Sequence, residues 1–147
     1  MNVVVDTNII FSALLSAKSI IPEIIVAPYN NFRFYTSEYL FDELEEHKNK
    51  LQKTSKLTEI EINRTKSKLF KYISVISLEI IPVKIWQQAK DLTFDIDPDD
   101  VPFVALSIYL GASLWTGDKA LYYGLQSKGF HNILLTSTMR EMLTGAR

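Results

Sequence analysis

The sequence contains no cysteine and only two histidines, His47 and His131, placed far apart. No disulfide framework is therefore available, nor any thiolate zinc or iron–sulfur site. The two histidines match no paired spacing of a zinc site. No apolar run reaches the ~18 residues of a membrane-spanning helix, and the uncharged stretch from Val101 to Thr116 is broken by Pro102 and Gly111. No basic segment precedes the first apolar run, and Asp6 interrupts that run almost at once. The expectation is an intracellular, cytoplasmic protein without a secretory signal or a membrane association. Internal repeats, low-complexity tracts and interdomain linkers are missing too, so residues 1–147 are expected to form one domain. What remains is 147 residues, 47% hydrophobic and 22% charged with both signs mixed. Such a composition argues against general disorder, and a chain of this length buries roughly 68–70% of the surface it exposes when unfolded.

The net charge of −1 becomes informative once it is split by position. Residues 48–71 carry eight bases against two acids, Glu59 and Glu61. Residues 91–100 carry Asp91, Asp95, Asp97, Asp99 and Asp100 with no base. A basic segment and an acidic knot thus share one small domain.

Val3-Val4-Val5 is β-branched and too short for a helix, so it reads as a buried strand ended by Asp6. Helical spacing follows over residues 8–17, and a second apolar stretch spans 20–27. A strand is expected at 32–35. A helix capped by Thr36 or Ser37 is expected to run to about Gln52, with Leu40, Leu44, His47 and Leu51 on one face. Thr58 and Glu61 form a capping box opening a basic helix to about Tyr72, joined to its predecessor at 54–56 as a hairpin. A short strand is expected within 75–81, and Pro82 suits the first turn of the next helix. Asp99 is placed to cap a helix that Gly111 closes. Then come a strand at 113–116, a helix to about Ser127, a strand at 132–135 and a helix from Ser137 to Leu143. Strands alternating with helices predict an α/β fold, a three-layer α/β/α sandwich around a short, mostly parallel sheet.

Four acids stand out against this frame. Asp6 and Asp118 follow strands directly, at the carboxyl ends where parallel sheets bind ligands. Glu43 lies inside a helix and Asp100 in the first turn of another. Each alone has an ordinary explanation. Asp6 can be a turn or cap residue, Glu43 one more solvated helix charge, Asp99 and Asp100 helix-start anions, and Asp118 a cap. The ordered set is more specific than its members. Carboxylates that converge raise one another's pKa unless a cation lies among them. An all-oxygen cluster suits Mg²⁺ or Mn²⁺ better than zinc.

The segments VVVDTNIIFSALL (3–15), TSEYLFDELEEH (36–47) and DPDDVPFVALSIYLGASLWTGD (97–118), with the terminal strand and helix, resemble a PIN domain over nearly the whole chain. The resemblance implies that Asp6, Glu43, Asp100 and Asp118 bind the metal and carry the chemistry. It implies that Asn8 holds the acids in register through its amide and that Thr116 hydrogen-bonds near the scissile phosphate or a carboxylate. Asp97 or Asp99 adds a supporting charge, and the triplet leaves open which acid is primary, Asp100 being preferred by register. Many members carry another acid where this chain has Ala120, so a second metal is expected to bind weakly.

The implied function is a Mg²⁺- or Mn²⁺-dependent endoribonuclease that hydrolyses RNA, of the VapC toxin type, with an antitoxin partner and a homodimeric state. The apolar stretch from Ile20 to Ala27 is the suggested dimer face. The basic segment, Lys66, Lys68 and Lys71 in particular, is expected to neutralise RNA phosphates, the other reading being an ordinary solvated face. Tyr122, Tyr123, Trp115 and Phe103 are candidates for base stacking, with packing the plainer role. Two rival readings are a catalytically silent PIN fold used as an interaction module, and a receiver-like Mg²⁺-binding regulatory domain. The receiver reading needs an acceptor Asp after a mid-chain strand, and Thr36 and Pro82 stand there instead.

Overall fold

The computed structural model describes residues 1–16, 18–27 and 31–145. Its strands are β1 (Asn2–Val5), β2 (Arg33–Ser37), β3 (Ile73–Ile76), β4 (Ser113–Trp115) and β5 (Ile133–Leu134). All pair in parallel, in the order β3-β2-β1-β4-β5. The helices are α1 (Thr7–Leu15), α2 (Ile21–Val26), α3 (Tyr39–Glu46), α4 (Lys48–Ser55), α5 (Glu59–Leu69), α6 (Val83–Thr93), α7 (Val101–Leu110), α8 (Lys119–Ser127) and α9 (Thr136–Gly145). Together they make the three-layer α/β/α sandwich that the alternation of strands and helices predicts. Among the described residues no helix is long and apolar enough to cross a membrane.

The centre of the sheet explains its composition. Strands covered by helices on both faces read as continuous apolar runs, and Val3, Val4 and Val5 of β1 are all fully buried. Beside them, β4 contributes buried Leu114 and Trp115. The Thr36 hydroxyl donates to the Val5 carbonyl at 2.8 Å, fastening β2 to β1 through a side chain. Against β1, β2 and β4 lies α7, backed by α6. Phe103, Val104, Ala105 and Leu106 of α7 are buried, as expected of a helix enclosed nearly all round. Gly111 ends it in the left-handed region at φ 60°, where L-residues pay a steric cost.

Several boundaries differ from the sequence expectation, each for a local reason. The helix expected from 36 or 37 to 52 is two helices, because His47 (φ −102°, ψ 12°) leaves helical geometry between α3 and α4. Leu40, Leu44 and Leu51 are still buried, but His47 is exposed. Thr36 and Ser37 belong to β2, and the Ser37 hydroxyl accepts the Tyr39 amide at 3.0 Å. The strand sought within 75–81 is β3, starting at Ile73. Beyond it Ser77 turns the chain into a 3₁₀ turn at Leu78–Ile80 by accepting the Glu79 amide at 3.3 Å. Asp99 is not the cap ahead of α7. Asp97 fills that role for a 3₁₀ turn at Pro98–Asp100, accepting the Asp99 amide at 2.9 Å. The capping box of α5 forms as expected, with the Glu61 amide on the Thr58 hydroxyl at 3.2 Å and the Thr58 amide on the Glu61 carboxylate at 3.3 Å.

The apolar side chains of α2 turn inward. Ile21, Ile24 and Ile25 are buried within the same chain, so the stretch proposed as a dimer face is already used by the monomer.

Leu114 lies fully buried in β4. Leu114→Ala should cost ~2–5 kcal/mol in denaturant unfolding. Val83→Ala, at a side chain 84% exposed, should stay within about 0.5 kcal/mol. Equal effects in the two variants would contradict this placement of the core.

Candidate active site

From β1 the chain passes to β2 and β3 on one side, and β4 and β5 lie on the other. The strand order therefore reverses between β1 and β4, and the crevice outside their carboxyl ends is where open parallel sheets place ligands. Asp6 and Asp118 follow those two strands. The Asp6 amide donates to the Trp115 carbonyl at 3.3 Å, so the two strand ends are directly joined.

A cleft of about 300 Å³ opens at this point, lined by Asp6, Asn8, Glu43, Asp97, Asp99, Asp100 and Asp118. The structure thus brings together the four principal acids expected from the sequence, with three of the four supporting residues. The fourth, Thr116, is buried just beneath. Its hydroxyl accepts the Asp118 amide at 3.1 Å and lowers the pKa of the neighbouring Asp6 carboxyl. Asn8 acts through its amide oxygen, which accepts the Gly117 N–H at 3.0 Å and ties the start of α1 to the β4–α8 loop. Glu43, on α3, receives the Thr7 hydroxyl at 2.5 Å.

The ordinary roles of these acids coexist with their convergence. Asp6 Oδ1 accepts the Ile9 amide at 3.2 Å and caps α1. Asp118 Oδ1 caps α8 by accepting the Ala120 and Leu121 amides at 2.9 and 3.2 Å. Asp100 precedes α7 but makes no capping bond, since its backbone is already helical (φ −81°, ψ −14°). Two buried carboxylate oxygens, Asp6 Oδ2 and Asp100 Oδ2, have no hydrogen-bond partner. Native proteins seldom leave such atoms unsatisfied.

The electrostatics follow. Burial pushes Asp6 up to about 7, against the opposing pull of the Thr116 hydroxyl and the Ile9 and Asn8 amides, with the Glu43 charge adding to the rise. Asp100 is pushed up to about 8 by burial and then by the charges of Asp6, Asp97, Asp118 and Glu43. Glu43 is also raised by burial, partly offset by Thr7. Tyr39, which donates to Asp99 Oδ1 at 3.2 Å, is raised to about 12 by burial and by that bond.

An all-oxygen donor set with two orphaned oxygens fits a hard divalent cation. Among the described residues no three acidic or imidazole side chains are drawn together as a closed ligand cluster. Uncompensated carboxylates keep their distance by the same repulsion that raises their pKa.

Other expected residues lie elsewhere. Lys66 faces the groove between α4 and α5, and neither Lys68 nor Lys71 lines the cleft. The base that does is Lys50, with His47, Thr7, Phe11 and Phe103. Lys50 is one of eight bases in its segment. No sequence signal singles it out, because the break at His47 separates α3, which carries Glu43, from α4, which carries Lys50. Trp115 is buried, and its Nε1 donates to the Thr136 hydroxyl at 3.0 Å. Phe103 is buried at the cleft wall. Tyr122 and Tyr123 pack edge to face on α8, outside the cleft.

A family model described as "PIN domain" matches residues 4–143. The fold is similar to that of VapBC2 from Rickettsia felis, solved bound to a DNA fragment from their promoter. The identity is 18% and the TM-score 0.57, over 92% of this chain and 97% of that one. It is also similar to a PilT N-terminus domain protein from the hyperthermophilic archaeon Sulfolobus solfataricus P2. There the identity is 16% and the TM-score 0.56, over 99% and 93% of the two chains. No curated protein matches.

The raised acids make stability depend on pH. In the fold, Asp6 and Asp100 keep their protons to about 7 and 8, whereas unfolded carboxyls ionise near 3.8. Their contribution to stability is full below about 4 and is lost as pH rises through the folded values. In EDTA the melting temperature should fall between pH 5 and 8. Asp6→Asn keeps a capping side chain and should flatten that slope. At pH 8 it should gain on the order of 1–3 kcal/mol. A metal-free melting temperature that climbs over this range would contradict the assignment of the burial and repulsion.

Proposed function

The chain belongs to the PIN-domain family, whose members are generally nucleases, and from that premise we propose that it is a cytoplasmic endoribonuclease dependent on Mg²⁺ or Mn²⁺. The observation that carries this reading is the meeting of Asp6, Glu43, Asp100 and Asp118 in one cleft, with a partnerless buried oxygen on two of them. These four would hold the ion, and Asp97 and Asp99 would add negative charge around it. When bound, a divalent ion supplies charge neutralisation at a phosphodiester and acidifies water for in-line attack.

The chain's own residues supply position. Thr7 fixes the Glu43 carboxylate through its hydroxyl. Asn8 and Thr116 hold the loops bearing Asp6 and Asp118 at a constant spacing. Asp6 and Asp100 would have to give up their protons to hold the ion, because ligands must be ionised. Lys50, the one lysine lining the cleft among the described residues, would neutralise a phosphate next to the scissile one. The fold likeness to VapBC2 supports an antitoxin as a partner, and we include one in the proposal.

Incubation of RNA with the pure protein in Mg²⁺, in Mn²⁺ and in EDTA tests the reading. Cleavage is expected with either metal and not with EDTA. Asp6→Asn and Asp118→Asn should each lower it by more than about 100-fold while leaving the fold intact. Full activity in EDTA, or in either variant, would end this assignment.

The basic residues separate by position. Lys50→Gln should weaken single-stranded RNA binding and reduce the log–log salt slope by ~0.7, one phosphate contact. The triple change of Lys66, Lys68 and Lys71 to Gln should reduce it by less than the roughly 2 expected of three direct contacts, with turnover at saturating RNA unchanged. An unaltered slope in Lys50→Gln would remove Lys50 from the substrate path.

A further inference from the structure

A second cavity, of about 530 Å³, adjoins the acid cleft, and none of the four principal acids lines it. Its walls are aromatic. Trp86 and Lys90 lie on α6 and Phe94 just beyond it, at successive intervals of four residues, so the three share one helix face. Opposite them is Tyr39, the first residue of α3, with Pro98 and Pro102 at the base. Phe94 is 76% exposed, too open to be explained as core.

Tyr39 joins the two cavities. Its ring lines the aromatic pocket. Its hydroxyl donates to Asp99, which lines the acid cleft. The ring also packs 6.3 Å from that of Phe103, a residue of the cleft wall. The partition between the cavities is the 3₁₀ turn Pro98–Asp100, with Pro98 on one side and Asp99 and Asp100 on the other. One lysine, Lys90, is in its lining, and Lys128 Nζ, paired with the Asp95 carboxylate and the Leu92 carbonyl, stands 4.9 Å from the centroid of the Phe94 ring.

We propose that this pocket is a subsite for an unpaired nucleobase of the same strand whose backbone enters the acid cleft, the base stacking on Trp86 and Phe94. The inference rests on the nuclease reading and adds to it where the substrate's bases go. Unpaired bases splay out and stack on aromatic faces, a contact every base can make. An apolar, ring-lined pocket with Lys90 in its lining, one thin turn from the acids, offers a stacking surface and a cation within reach of the same strand. The chain would therefore act on single-stranded or looped substrate with weak sequence preference at this position.

The test uses the full chain and a labelled, cleavage-resistant phosphorothioate oligoribonucleotide, with Mg²⁺ and with EDTA. Anisotropy reports binding, and tryptophan emission reports the pocket. The sequence has two tryptophans, Trp86 and the buried Trp115, and the part of an emission change that Trp86→Phe abolishes belongs to Trp86. Binding should quench that emission. An abasic ribose-phosphate probe of equal length should bind more weakly and quench nothing. Trp86→Ala and Phe94→Ala should each weaken binding by roughly 5- to 100-fold, whereas Trp86→Phe should keep most of the affinity and lose the signal. Oligonucleotide binding with unchanged emission and unaffected Ala variants would overturn the subsite and leave the nuclease reading standing. No binding in any condition would overturn both. Emission that responds to protein concentration alone, with a dimer in light scattering, would give the pocket to a second copy and overturn the proposal.

Discussion

The constraint on which this molecule turns is the burial of carboxyl groups without a protein counter-ion. Asp6 and Asp100 each leave an oxygen unpartnered in the interior, and no lysine or arginine salt bridge reaches them among the described residues. A fold can tolerate this only where the remaining contacts over-determine the site. Here β1 is sealed in the centre of the sheet, Thr36 grips it from one side, and Asn8 and Thr116 hold the adjacent loops. The apolar core thus sets the positions of acids that would otherwise move apart.

That arrangement also explains why capping and site roles need not compete. A carboxylate has two oxygens. In Asp6 one satisfies the first turn of α1 and the other has no protein partner. Asp100 escapes capping duty because Asp97 starts the preceding 3₁₀ turn, so a side chain three residues upstream frees the one in the cleft. Reading Asp99 and Asp100 as helix-start anions misses this division of labour.

The sequence was most legible where a signal was local and physical. Three β-branched residues marked β1, the Thr58–Glu61 pair marked the start of α5, and Gly111 marked the end of α7. Strand-end acids were legible because a parallel sheet puts them at one edge whatever the intervening chain does. The break at His47 was not, because one non-helical residue leaves the Leu40, Leu44 and Leu51 spacing intact. Nor was the importance of Lys50 over its seven neighbours, since only the docking of α4 decides which base faces the acids. Trp86, Lys90 and Phe94 fell at a helical interval but carry no chemistry until α3 is placed opposite them.

The cleft draws on residues 6, 43, 100 and 118, and β4 must insert beside β1 from the far end of the sequence before Asp118 arrives. Early segments can pair as β1, β2 and β3, yet the constellation stays incomplete until β4 is in place. The cleft is thus a property of the finished sheet, and no fragment ending before residue 118 carries it.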